Sequence, residues 1–279
     1  MVSESPNGAA NYQQVAFPNV YLVGRIVILF YNDACLALLG IRHSKTLGKP
    51  AAEVWQDNWS DLQALVETVI GQGEAVCREE VLCFIEKDNL KAETYLNFSY
   101  SPVFDGNNCA GGLCGLVKDV TPEVISRRRL ETLHALSENS LAELKTVKEA
   151  CQTTREILTK NLHDLPCAFI YLLDEMGKTA HLWESDALTS TAKLIPQAIA
   201  LDNKKADFWN FNKILATDQL PVIHDFAKTS DKIPALPWQE EWIRQAIVLP
   251  LPQAGLPAKP MGFLVTGISP LLDFNLDYQ

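Results

Sequence analysis

The 279-residue sequence predicts an α+β chain of two domains, each an antiparallel sheet flanked by helices, joined by a helical linker. Three observations predict it. Long runs with period-two alternation meet at polar turns between residues 74 and 120. A second group of strand-like runs begins near Cys167. Between the two groups, residues 119–162 form the only long stretch without a strand-like run, and it holds the cluster Arg127, Arg128 and Arg129. The boundaries that follow are a flexible leader at 1–19, a first domain at 20–121, a linker at 122–144 and a second domain at 145–279.

In the first domain, residues 1–19 are rich in Ser, Asn, Gly and Pro and have no apolar period. Residues 25–31 have the β-branched and aromatic content of a buried strand. Asn32 and Asp33 then offer a helix N-cap, and Gly40 closes that helix. Val54, Leu62, Leu65, Val66, Val69 and Ile70 recur at helical spacing up to Gly71 and Gly73. Residues 74–86 and 91–104 read as a hairpin closed by the turn 87–90. In its second arm Leu96, Phe98 and Tyr100 fall on one face, with Asn97, Ser99 and Ser101 on the other. These three large side chains are the candidate core and pocket residues. A turn at 105–108 leads to a last strand at 110–120.

The connector has helix signals. Thr121 is placed as N-cap with Pro122 in the first turn. Leu130, Leu133, Leu144, Val147 and Leu158 fit the a and d positions of one heptad frame, and the first four form a candidate dimer seam. Ser137, Ser140, Cys151 and Thr154 fall in the same frame, so the coiled coil is broken. Two S/T-x-x-E capping boxes, Ser140 with Glu143 and Thr146 with Glu149, put a joint between a helix at 122–137 and another at 147–162. The arginine run has two readings, a solvated face or part of a parallel dimer seam, and the joint is the place to mutate.

In the second domain, strands are expected at 167–173, 179–183, 221–225, 245–251 and 261–268, with a turn at Asp174–Gly177 and a short amphipathic lead-in at 238–244.

Composition narrows the function. The hydrophobic fraction of 47% and charged fraction of 21% are those of a globular chain. A net charge of -10 argues against nucleic acid as the main partner. The apolar run 20–30 is interrupted by Arg25 and is too short to span a bilayer, and no signal peptide is legible. A cytoplasmic chain with no membrane insertion is expected. Seven cysteines without a CxxC pair fit a reduced compartment and no metal site. No catalytic motif or phosphate loop is present, and no cofactor is predicted. Cys109 is placed in a turn, while His181 and His224 stand at strand positions without acidic or Cys companions nearby.

The phrases LFYNDACLALLG (29–40), SYSPVFD (99–105) and KDVT (118–121), in this order of elements, resemble a PAS domain. YLLDEMGKTAHL (171–182), IVLPLPQAG (247–255) and PMGFLVTGISP (260–270) resemble a GAF domain of the kind that follows PAS in bacterial sensor histidine kinases. In that family a strand is complete before Arg25, whereas the leader here looks irregular. His134 lacks the acidic residue and Pro that follow a phosphoacceptor histidine, so it is read as a surface or seam residue. The GAF resemblance implies a C-terminal helix and then a kinase core, and the sequence stops at Gln279 before either. The expectation is a sensory fragment or a short natural protein.

The resemblance implies a PAS–GAF module of a two-component protein, itself no enzyme. It would be a homodimer through the linker and would relay the binding of an unidentified small ligand or partner. The alternatives are a thiol-dependent GAF-fold enzyme using Cys151 or Cys167 and a passive interaction scaffold.

Overall fold

The computed structural model describes residues 18–272 apart from 25–26, 40–42, 56–58, 88–89, 142–145, 187–194, 204–206, 217–220, 227–232, 235–241 and 254–255. The chain divides into two compact units, Met1–Ser126 and Arg127–Gln279.

Unit one opens on a hairpin, β1 (Asn19–Val23) and β2 (Ile28–Tyr31). The apolar run 20–30 is therefore two strands, and the strand expected to be complete before Arg25 is present as β1. The turn between them takes Gly24 and Val27 through positive φ. Asn32 was expected to cap the next helix. Its Oδ1 instead accepts the N–H of Asn19 at 3.0 Å and the Cys35 thiol at 3.5 Å, so it pins the strand to the following 3-10 turn, Asp33–Cys35.

Three single-turn helices follow, α1 (Leu36–Leu39), α2 (His43–Thr46) and α3 (Ala51–Val54). The longer α4 (Trp59–Glu67) runs into a π turn, Thr68–Gln72. Gly73 ends it at φ 70, the left-handed region that a side chain disfavours, with its N–H on the Val69 carbonyl.

The sheet is completed by β3 (Val76–Lys87), β4 (Leu90–Phe104) and β5 (Ala110–Asp119), in the order β2-β1-β5-β4-β3, antiparallel throughout. Alternation along β4 holds. Leu96, Phe98 and Tyr100 are buried, while Asn97, Ser99 and Ser101 are half-buried or exposed. The register slips between Arg78 and Val81, where Glu80 has positive φ and gives its N–H to Asn97 Oδ1.

Helix α5 (Thr121–Leu141) begins in unit one and continues into unit two. Thr121 does not cap it. Its own N–H goes to Asp119 Oδ1 at 2.9 Å, and its hydroxyl accepts the Tyr95 N–H at 2.8 Å, tying the helix start to β4. The helix does not stop at Ser137 but runs through Ser140, where the joint was expected, to Leu141. The rest of the expected break, 142–145 with Glu143 and Leu144, lies outside the described residues. At the second capping box, Thr146 accepts the Glu149 N–H at the start of α6 (Val147–Leu158), which ends in a 3-10 turn, Thr159–Asn161.

Unit two has a six-stranded antiparallel sheet, β6 (Ala168–Leu173), β7 (Thr179–Asp186), β8 (Ala198–Ala200), β9 (Val222–Asp225), β12 (Gln245–Gln253) and β13 (Leu256–Gly267). Its order is β8-β7-β6-β13-β12-β9. Helix α7 (Phe211–Ala216) lies between β8 and β9 in sequence. The lead-in expected at 238–244 contains instead β11 (Trp242–Ile243), paired with β10 (Ile233–Pro234). One face of the large sheet is the core, where Phe169, Tyr171, Phe263, Trp209 and Phe211 have no exposed surface. Among the described residues, no helix is long and apolar enough to cross a membrane.

Candidate functional site

The interior of unit one holds a cavity of about 110 Å³ between the concave face of the sheet and the helices packed on it. Leu96, Phe98 and Tyr100, the residues singled out by alternation, form part of its β wall. The helical residues Leu38, Trp59 and Leu65, with Trp55 just past the end of α3, are among those that close the other side. Sequence reasoning missed this second wall. The signal was the pair of large aromatics, Trp55 and Trp59, in a segment patterned only by Leu and Val.

Among the described residues, Tyr31, Cys35, Cys83 and Tyr100 bring polar groups to the lining beside the indoles of Trp55 and Trp59. The Tyr31 hydroxyl is hydrogen-bonded to Thr46 Oγ1 at 2.8 Å. The Cys35 thiol donates to the Asn19 carbonyl at 3.3 Å, and burial pushes its pKa up to about 11. Cys83 is likewise raised by burial. Tyr100, 8% exposed, is stacked on Phe98 with ring centroids 4.8 Å apart. Burial, with a smaller push from Cys83, raises its phenol to about 12. The Tyr100 ring passes over Gly115, where a Cβ would come within 2.6 Å of two ring carbons, so a glycine is what lets the ring lie flat against β5.

Residues 24–124 match the family model described as PAS fold. This segment is a PAS domain. Solved structures similar to the chain include the PAS domain of a Colwellia psychrerythraea protein, with 16% identity, 41% of this chain and 94% of that chain covered, and a TM-score of 0.33. A sensory box sensor histidine kinase from Vibrio cholerae aligns with 17% identity over 40% of this chain and 89% of that one, TM-score 0.31. A Rhodobacter sphaeroides LOV protein aligns with 13% identity over 53% and 86%, TM-score 0.35. None of the curated proteins matches the chain.

Beyond the PAS domain, the arginine run meets neither expectation in full. Arg128 Nε lies 2.9 Å from Asp164 Oδ2 and Arg129 Nε 3.3 Å from Asp164 Oδ1, so two of the three arginines make an intramolecular ion pair within unit two. Arg127 is exposed. Of the seam residues, Leu130, Leu133 and Val147 stand 66%, 60% and 47% exposed. His134 faces solvent, 3.4 Å from Glu138. Cys109 sits exposed in the turn that Asp105 organises by accepting the N–H groups of Asn107 and Cys109. Cys151 and Cys167 are both buried. Among the described residues, no three His, Cys, Asp or Glu side chains gather into a group able to hold a metal ion.

His181 is exposed on β7, but His224 has more company than its sequence neighbours suggested. It is 7% exposed and surrounded by the rings of Phe208, Trp209 and Phe226 at centroid distances of 5.4, 5.1 and 4.8 Å. Asn210 Nδ2 lies 3.4 Å from its Nδ1. Burial holds the imidazole below its ordinary value, outweighing the opposite pull of Asp225 and Asp207.

The unfolded chain therefore binds a proton below about pH 6.5 that the folded chain refuses, and stability falls as pH drops through that window. Urea melts from about pH 7.5 to about 5.5 should show this slope in the wild type. In His224→Phe, which keeps the ring packing, the slope should shrink; an identical slope in both would exclude His224 as its source.

Proposed function

We propose that the chain is a sensory module of a two-component signalling protein. The PAS domain binds a small ligand, unit two is a GAF domain, and helix α5 carries the effect of binding from one to the other. The observation that bears the reading is the apolar cavity inside the PAS domain, whose wall includes Val117 on β5, the strand that leads directly into α5. Val120 and Val124, at the strand end and in the first helical turns, are buried. A ligand that changes the packing of β5 therefore acts on the root of the helix. Such a relay needs a ligand with different affinities for two packings, since equal affinities shift nothing.

The GAF reading is supported by the order helix, strand, turn, strand, crossover, strands in unit two, and the dimer reading by the solvent-facing Leu130 and Leu133. The thiol-enzyme alternative is disfavoured for Cys167 by its burial, whereas Cys151, also buried, lines a cavity of about 480 Å³.

Hydrogen exchange of the full chain, read with and without fragments that bind, tests the relay. The expected result is protection in β4 and β5 together with an altered rate in α5. Binding that leaves α5 unchanged counts against relay, and a monomer at high concentration by light scattering counts against the dimer.

A further inference from the structure

The cavity selects its ligand by what its wall lacks as much as by what it presents. Among the described residues that line it, none is Asp, Glu, Lys, Arg or His, and none is an amide. A buried ion without a counter-charge or a shell of hydrogen bonds is excluded on energetic grounds, and the described lining supplies neither.

The volume sets the second limit. About 110 Å³ is well below the roughly 300–1,000 Å³ of pockets for drug-sized molecules, and of the order of an apolar cavity of roughly 150 Å³ that admits benzene.

The third limit is polar. The Tyr31 hydroxyl and the Cys35 thiol are already committed, to Thr46 and to Asn19 and Asn32. The Tyr100 side chain lines the cavity and is 8% exposed, and its hydroxyl, which keeps some accessible surface, makes no hydrogen bond among the described residues. A phenol in this position is left to be satisfied by whatever fills the space. Its pKa, raised by burial, keeps it a neutral donor at physiological pH.

We propose that the cavity takes a small uncharged molecule, apolar over most of its surface and no larger than a monocyclic ring, with one oxygen or nitrogen that hydrogen-bonds to the Tyr100 hydroxyl. This deepens the sensory reading and rests on it. The ligand enters as a neutral species, and the polar atom fixes its orientation against β4 while Phe98 and the two tryptophans cover its faces.

The test is calorimetric titration of the full chain with phenol, toluene and benzoate. Phenol is expected to bind at least tenfold tighter than toluene, with no binding of benzoate. In Tyr100→Phe, which preserves the ring over Gly115, phenol should fall to the affinity of toluene while toluene is unchanged. Retained toluene binding also reports that the variant is folded.

Equal binding of phenol and toluene by the wild type, or a preference that survives Tyr100→Phe, overturns the role of the hydroxyl and leaves the sensory reading standing. Benzoate binding as tight as that of phenol overturns the uncharged class alone. No binding of any of the three overturns the inference, and if the exchange experiment also finds no fragment in the cavity, the sensory reading falls with it.

Discussion

Asp164→Ala is expected to destabilise unit two by roughly 3–5 kcal/mol, the cost of breaking a buried ion pair by removing one partner. The aspartate side chain is 4% exposed and holds Arg128 and Arg129, themselves 16% and 24% exposed. Removing the carboxylate leaves two guanidinium groups in a half-dry environment without their counter-charge. Because both retain some access to water, the lower end of that range is expected.

The pair is also the head of a network. The Asp164 N–H goes to Asn161 Oδ1, Asn161 Nδ2 donates to the Thr132 hydroxyl at 3.0 Å, and that hydroxyl donates to the Arg128 carbonyl at 3.0 Å. Three residues of α5 are thus fastened to the turn that follows α6. Urea denaturation gives the magnitude, and amide exchange gives the place: protection should be lost from Arg127 to the end of α5, with β3 and β4 unaffected. A loss within about 0.5 kcal/mol, the range of an ordinary surface substitution, would show that the network does not hold the helix. If the pair orders α5 rather than merely stabilising it, replacing Asp164, Arg128 and Arg129 together by apolar residues of similar volume should recover stability.

That pair also shows where the sequence stopped being readable. Arg128 and Asp164 are separated by 36 residues, and no local pattern couples them. A run of three arginines on a helix has the same appearance whether it faces water, a second copy or a buried carboxylate. The long hairpin, by contrast, was legible to within two residues at each end, because side-chain period and polar turns are local properties of β3 and β4. The Thr146 cap was legible for the same reason.

The first hairpin was obscured by composition. Residues 20–30 are apolar on both sides of the turn, and the chain reverses at Gly24 without a polar cluster to mark it. At the candidate site, alternation found the face that carries Leu96, Phe98 and Tyr100. It could not tell that the opposite wall includes Trp55 and Trp59, or that Tyr31 and Cys35 have partners while the Tyr100 hydroxyl has none among the described residues. Those distinctions depend on side chains brought together from strands and helices far apart in sequence.

Trp209→Ala is expected to cost unit two about 3–5 kcal/mol, the range for deleting a large buried aromatic. Trp209 has no exposed surface and lies against Phe169, Phe208, His224 and Phe226, at centroid distances between 4.7 and 5.8 Å. Its indole N–H donates to the Tyr171 hydroxyl at 3.1 Å, and that hydroxyl donates to the Pro196 carbonyl at 2.8 Å. The substitution therefore opens a cavity and strips a buried hydroxyl of its donor. Trp209→Phe separates the two contributions, since it keeps most of the ring and loses only the N–H, for which about 1 kcal/mol is expected beyond the smaller volume change. Equal losses in the two variants would mean that the hydrogen bond, not the packing, dominates.

The same experiment bears on His224. Its depressed pKa comes chiefly from burial among these rings. Water admitted by Trp209→Ala should raise that pKa towards its unfolded value, so the decline in stability below about pH 6.5 should flatten in this variant as it does in His224→Phe. A slope that stays steep after the indole is removed would place its origin elsewhere in the chain.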